Sequence, residues 1–207
     1  LERINKYYNE KKETFREHLG GSVVGHPCLR HIWMKFRWFL QEEHDAQRKK
    51  CFEIGHRLEN MIIDQLKNAG VEILHRNKKA PVYKEFEGHF SGEVDAICRN
   101  VDLKNPDLEY IVEIKSMAQK YFTPLEKKGV FAAKIQHYFQ VQAYMGFFNI
   151  PRAYYIAICK NTSRQYEEFI EFDQAIFDEI REKAKKAILK KELPLPMSHN
   201  KDYYICK

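Results

Sequence analysis

The sequence predicts a mixed α/β domain in the order helix, three strands, helix, strand, with helical additions at both ends. Three observations predict it. An apolar stripe at helical spacing, Ile54, Leu58, Met61, Ile62 and Leu66, runs within about Phe52 to Asn68 and closes at Gly70. Three strand-like stretches follow. A second helical pattern, from about Val130 to Phe148, then leads through Pro151 into a further strand.

In chain order, Leu1 to Leu19 places Ile4, Tyr8, Phe15 and Leu19 at helix-like spacing among charges, and Gly20-Gly21 stops that helix. The stretch from Ser22 to Leu40 interleaves Trp33, Phe36, Trp38 and Phe39 with Arg30, Lys35 and Arg37, a pattern that suits either core packing or nucleic-acid contact. Strands are expected near Val71 to His75, Tyr83 to Cys98 with a turn around Gly88, and Tyr110 to Lys115, and Asn105-Pro106-Asp107 is a turn between the last two. In the helix of Val130 to Phe148 the expected buried residues are Phe131, Ile135, Phe139 and Met145. Strands from Ala153 to Cys159 and Glu167 to Phe172 precede a last helix, Asp173 to Lys191. Its apolar face is Ile176, Ile180, Ala184, Ala187 and Ile188, and Pro194 and Pro196 end it.

With 207 residues and 44% hydrophobic content, the chain can bury one substantial core. The net charge of +6 is compatible with a polyanionic partner without demanding one. Apolar stretches such as Ile32 to Leu40 are short and broken by Lys35 and Arg37, so no bilayer-spanning segment is expected, nor a signal peptide. Five scattered cysteines, Cys28, Cys51, Cys98, Cys159 and Cys206, argue against a secreted disulfide framework and for a reducing, cytoplasmic setting. The chain begins at Leu1 rather than Met, and both termini are expected to be trimmed.

The chemistry-bearing residues fall on these elements. Strand alternation puts Glu113 and Lys115 on one face, with Val112 and Ile114 on the other. A hard divalent cation wants carboxylate oxygens, and a neighbouring ammonium positions water and offsets phosphate charge. A solvated strand end would read the same way. Upstream, in Ser91-Gly92-Glu93-Val94-Asp95-Ala96, Asp95 sits among apolar neighbours where an unpaired carboxylate is costly. A metal shared with Glu113 relieves that cost, as does a salt bridge to Lys115 or an arginine. Gly92 permits close approach of backbone or ligand. In Gly55-His56-Arg57-Leu58-Glu59, three-residue spacing puts His56 and Glu59 on one helix surface, as metal-site residues or as surface and capping groups. Gln140 and Tyr144 lie one turn apart, away from the apolar stripe of their helix, with Gln136 and His137 one turn earlier.

The order of these elements resembles the PD-(D/E)XK nuclease superfamily, in its RecB-like and phage-exonuclease branch. That family's motifs, Gly-His-x-x-Glu, Gly-x-x-Asp, Glu-x-Lys and Gln-x-x-x-Tyr, read here as Gly55 to Glu59, Gly92 to Asp95, Glu113 to Lys115 and Gln140 to Tyr144. The resemblance covers about residues 22 to 207, a nuclease domain behind an N-terminal helix of residues 1 to 21. It implies a restriction-endonuclease-like core. It also implies His56, Asp95, Glu113 and the backbone carbonyl of Ile114 as ligands of Mg2+ or Mn2+, with Lys115 as catalytic lysine and Glu59 at the edge of the site. Gln140 and Tyr144 would position the DNA strand, helped by Arg30, Lys35, Arg37 and Gln136.

The segment Ser22 to Arg30, with Cys28, also looks like the opening motif of CRISPR-associated and helicase-nuclease relatives that carry a 4Fe-4S cluster. Tyr203 to Lys207, with Cys206, resembles the start of their terminal cysteine cluster. Four thiolates normally hold such a cluster, so the expectation is a native chain that continues past Lys207. The function implied is a metal-dependent deoxyribonuclease, an exonuclease on DNA ends or single strands used in recombination or repair, intracellular or phage-encoded, with recombination or helicase proteins as partners. A structure-specific or restriction-type endonuclease, an RNA-directed enzyme and an inactive DNA-binding module share these motifs.

Overall fold

The computed structural model describes residues 1–11, 16–40, 43–79 and 86–198. The chain opens with α1 (Glu2–Glu10), shorter than the helix expected to Leu19. Leu19 and Gly20 instead form a short strand, β1 (Leu19–Gly20), that leads into α2 (Gly21–Val24) and α3 (Leu29–Phe36). Next is α4 (Ala46–Asn68), which starts earlier than its apolar stripe because the Asp45 side chain caps it, accepting from the Arg48 N–H at 2.7 Å.

The strands expected from Val71 to Cys98 appear as β2 (Glu72–Lys79), β3 (Phe90–Ser91) and β4 (Glu93–Arg99). The part expected at 83–85 lies outside the described residues. The fifth strand, β5 (Tyr110–Met117), carries Glu113 and Lys115. It is followed by α5 (Gln119–Ala133), α6 (Ile135–Phe148), β6 (Arg152–Cys159), β7 (Gln165–Glu171) and α7 (Gln174–Leu189). No helix among the described residues is long and apolar enough to cross a membrane.

The main sheet has the order β2-β4-β5-β6-β7. Its pairs are antiparallel except β5 with β6, whose parallel pairing follows from the α5–α6 crossover between them. On one face α4 packs Ile62 and Ile63 against Ala96, Val112, Ile114 and Ile156. On the other, a larger core joins Ile97, Ile111 and Tyr155 to residues of α2, α3, α5, α6 and α7. This is the mixed α/β fold with a central sheet and flanking helices that the periodicities indicate.

Two expectations are corrected. The helix of Val130 to Phe148 is broken at Lys134 (φ −142°, ψ 54°), which separates α5 from α6 and rotates the faces on either side. Phe131 and Ile135 are therefore exposed, whereas Phe139 and Met145 are buried. Arg37, expected on DNA, is committed to the fold. Its guanidinium donates to the carbonyls of Ala187 (2.6 Å), Ile188 (2.9 Å) and Lys190 (2.8 Å) at the end of α7, and lies 4.2 Å from the Trp33 ring centroid. Those carbonyls have no helical partner, so a cation there satisfies them and meets the negative end of the helix dipole. Trp33 is buried and donates its indole N–H to Lys190 O at 2.7 Å, which settles its role as core packing. Arg37→Ala is expected to lower stability by about 1–3 kcal/mol, measured by urea unfolding, because it strands these acceptors.

Candidate active site

The site is built where β4 and β5 part. Their antiparallel register pairs Ala96 with Val112 and Ile97 with Ile111. One step further would set Asp95 directly opposite Glu113. Like charges opposite one another oppose pairing, and the ladder stops there. The Asp95 carboxylate takes over the next strand's amide, its Oδ2 accepting from Ile114 N–H at 2.6 Å.

Glu113 is 1% exposed. The Lys115 ammonium forms an ion pair with its Oε1, and its Oε2 has no hydrogen-bonding partner among the described residues. Burial, followed by the charge of Glu113, pushes the Asp95 carboxyl up to about 8, and burial also raises Glu113. Burial works against the Lys115 charge, yet Glu113 and Asp95 beside it hold its pKa above the usual lysine range. Two carboxylates and an ammonium thus meet at one largely buried place, with Glu113 Oε2 lacking a hydrogen-bonding partner among the described residues.

From the other face, α4 reaches this end of β5. A Cβ on Gly55 would stand 3.5 Å from Ser116 Oγ, so helix and strand touch there. Glu59 is close enough to raise the pKa values of both Asp95 and Glu113. His56 is not gathered with them. Its side chain is 76% exposed at the rim, with Nδ1 3.3 Å from Glu59 Oε2. Among the described residues no group of three His, Cys, Asp or Glu side chains is spaced to hold a metal ion. What does fit a hard divalent cation is the Asp95 and Glu113 pair, with its orphaned oxygen and its raised pKa values, because such an ion replaces the missing partner and restores both charges.

Beneath the carboxylates lies Tyr144, 3% exposed, whose hydroxyl accepts from Gln140 Nε2 at 3.3 Å. Both were expected away from the apolar stripe of their helix, and both are buried. The tyrosine also explains two glycines. A Cβ on Gly92 would sit 2.5 Å from the Tyr144 ring, and one on Gly21 2.9 Å from it, so the ring is wedged between α2 and the start of β4. The close approach that Gly92 permits is made by this side chain. Burial, then Glu113, raises Tyr144 to about 12, so its hydroxyl keeps its proton.

The register of β5 with β6 sets Tyr155 beside Glu113. Tyr155 is fully buried and its hydroxyl meets His137 Nδ1 at 2.7 Å. Burial, then Lys115 and Lys134, lowers His137 to about 3, which keeps the imidazole neutral. Tyr155 carries no sequence signal, since its place depends on a parallel neighbour that comes from beyond two helices. Of the remaining expected residues, Arg30 and Lys35 are partly exposed on α3 and Gln136 is exposed on the first turn of α6.

Cys28 is buried just before α3, and Cys98 and Cys159 are buried apart from it, whereas Cys51 is exposed; none of the four forms a disulfide. Cys206 lies outside the described residues. The described residues therefore do not fit a 4Fe-4S cluster, which needs several thiolates in one place.

The buried carboxylates imply a measurable linkage. Without metal, folded Asp95 holds its proton up to about pH 8, whereas an unfolded aspartate releases it near pH 4. Folding takes up a proton between these values, so the stability of the metal-free protein falls as pH rises through that window. Asp95→Asn keeps an acceptor for Ile114 N–H and removes the charge. Thermal melts in chelator should show the variant about 3 °C or more above wild type near pH 8, with a flatter pH dependence.

No protein-family model matches the sequence, and no curated protein matches it. Solved structures do. An alkaline exonuclease from Laribacter hongkongensis (LHK-Exo) aligns with 90% of this chain and 90% of its own at a TM-score of 0.57 and 14% identity. The same enzyme in complex with dAMP gives 0.54 at 15% identity, over 83% of this chain and 86% of its own. The protein SSO0001 covers 93% of this chain and 84% of its own at 0.53 and 19% identity. A phage-related exonuclease from Haemophilus somnus 129PT covers 81% and 78% at 0.50 and 14% identity. The chain therefore shares the fold of these alkaline and phage-related exonucleases.

Proposed function

We propose that this protein is a metal-dependent deoxyribonuclease that hydrolyses phosphodiester bonds, acting as an exonuclease on DNA ends or single strands. The observation that carries the reading is the pair of buried Glu113 and partly buried Asp95, with one Glu113 oxygen unpartnered among the described residues and the Lys115 ammonium against the other. A pocket of this kind suits an ion and an anionic phosphate far better than it suits an apolar ligand. The likeness of the fold to exonucleases supports the same chemistry. The dAMP bound to LHK-Exo supports end-wise action, since a mononucleotide is what stepwise cleavage from an end releases.

In this reading Asp95, Glu113 and the backbone carbonyl of Ile114 hold Mg2+ or Mn2+, with His56 joining from the rim and Glu59 tuning the local charge. When bound, such an ion supplies Lewis-acid activation of water and neutralises charge on the leaving oxygen. Lys115 keeps its proton at Nζ, where it orients the attacking water and offsets charge developing on the phosphate. The hydrogen bond from Ile114 N–H fixes the Asp95 carboxylate while Glu113 is fixed by Lys115. Tyr144 and Gln140 support Lys115 and the DNA strand from below, and Arg30, Lys35 and Gln136 offer outer contacts to its backbone. The closed helical cap on α7 removes Arg37 from that set.

Digestion of end-labelled single- and double-stranded DNA with Mg2+ or Mn2+ tests the reading. Wild type should give products shortened from one end, and Glu113→Ala and Lys115→Ala should each lose roughly a hundredfold or more in rate. Internal cuts would indicate an endonuclease, and variants that cut like wild type would refute the site. Since the ion competes with the Asp95 proton, Mn2+ affinity measured by calorimetry should rise about tenfold per pH unit below about pH 8 and level off above it.

A further inference from the structure

The break between α5 and α6 leaves an aromatic and basic surface beside the catalytic strand. Tyr121, in the first turn of α5, is 49% exposed. Lys120 Nζ lies over its ring, 4.8 Å from the centroid, and Lys134 Nζ lies over it at 4.6 Å, so two ammoniums cap one ring. Neither lysine has a carboxylate partner among the described residues, although Lys134 is partly buried. A partly buried cation without a counter-charge is held at a cost unless an anion completes it.

This surface lies near the site. His137 is close enough to both Lys115 and Lys134 for each to act on its ring, and its Nδ1 meets the hydroxyl of Tyr155, the register neighbour of Glu113. Lys115, His137, Lys134 and Tyr121 are thus successive neighbours, leading from the catalytic lysine to a half-exposed ring. By contrast, in the sequence's densest aromatic and basic stretch Trp33 and Arg37 are turned inward onto α7.

We propose that Tyr121, capped by Lys120 and Lys134, is a stacking platform for an unpaired base of a single DNA strand entering or leaving the site, the base taking the ring face and the two flexible ammoniums moving onto its flanking phosphates. The inference rests on the nuclease reading and adds the form of the substrate: a single-stranded segment next to the scissile bond. Bases stack on an aromatic ring whatever their identity, and the cations track the backbone, so the platform is tolerant of sequence.

Binding of a fluorescein-labelled oligothymidylate and of a blunt hairpin duplex, followed by anisotropy in chelator so that nothing is cut, tests it. Tyr121→Ala should weaken oligothymidylate binding about tenfold with little change for the hairpin, while Tyr121→Phe, which still stacks, stays within about twofold of wild type. Combining Lys120→Ala with Lys134→Ala should flatten the dependence of log affinity on log salt by roughly one unit, and thermal melts report that each variant is folded. In the nuclease assay Tyr121→Ala should raise KM for single strands and leave kcat near wild type. Unchanged binding by Tyr121→Ala, or an equal loss on the hairpin, overturns the platform. A wild type that binds the oligothymidylate through Tyr121 but cuts nothing with Mn2+ upholds the platform and overturns the nuclease reading instead.

Discussion

Everything at the centre of this molecule depends on two carboxylates that meet in a low-dielectric place. Asp95 and Glu113 stand where the register of β4 and β5 would bring them face to face, and the ladder ends just before they do. The strands stay together because Asp95 accepts the Ile114 amide and Lys115 neutralises part of Glu113. These two contacts hold the pocket open without filling it. A fold selected only for stability would replace such a pair with apolar side chains, and the retained charge signals a requirement outside folding itself.

The supporting structure is arranged around that strain. Tyr144 rises from α6 between Gly21 and Gly92, so any side chain at either glycine would displace the ring that underlies the site. Tyr155 and His137 brace the same region from β6 and α6, each with its polar atom matched to the other and not to solvent. At the far side of the larger core, Trp33 and Arg37 close the end of α7, fixing α3 against it. The polar groups that are satisfied build the frame, and those that are not define where a ligand belongs.

The chain's surface chemistry follows the same division. Two of the places where aromatic and basic residues meet differ in what the cations touch. At the end of α3 Arg37 meets the helix carbonyls at the end of α7 and Trp33 is buried beside it, which gives that pair a structural role. Around the start of α5 a half-exposed ring lies under two lysines that meet no carboxylate among the described residues, the feature on which the proposed stacking platform rests.

Much of the fold was legible from periodicity, because a strand buried on both faces or a helix with an apolar stripe announces itself locally. The Glu113 and Lys115 alternation and the isolated Asp95 were legible for the same reason: a charge inside an apolar run is conspicuous. What local pattern does not carry is register and contact at a distance. The α5–α6 break at Lys134 exposed Phe131 and Ile135, and the burial of Gln140 and Tyr144 came from the helix being packed on all sides. The use of Arg37 depended on an α7 terminus 150 residues away, and Tyr155 on a parallel strand pairing. The sequence by itself determined which elements form and which residues bear charge in apolar surroundings. Only the tertiary structure decided which of those charges are satisfied, since a hydrogen-bond partner is a matter of position in space and not of spacing along the chain.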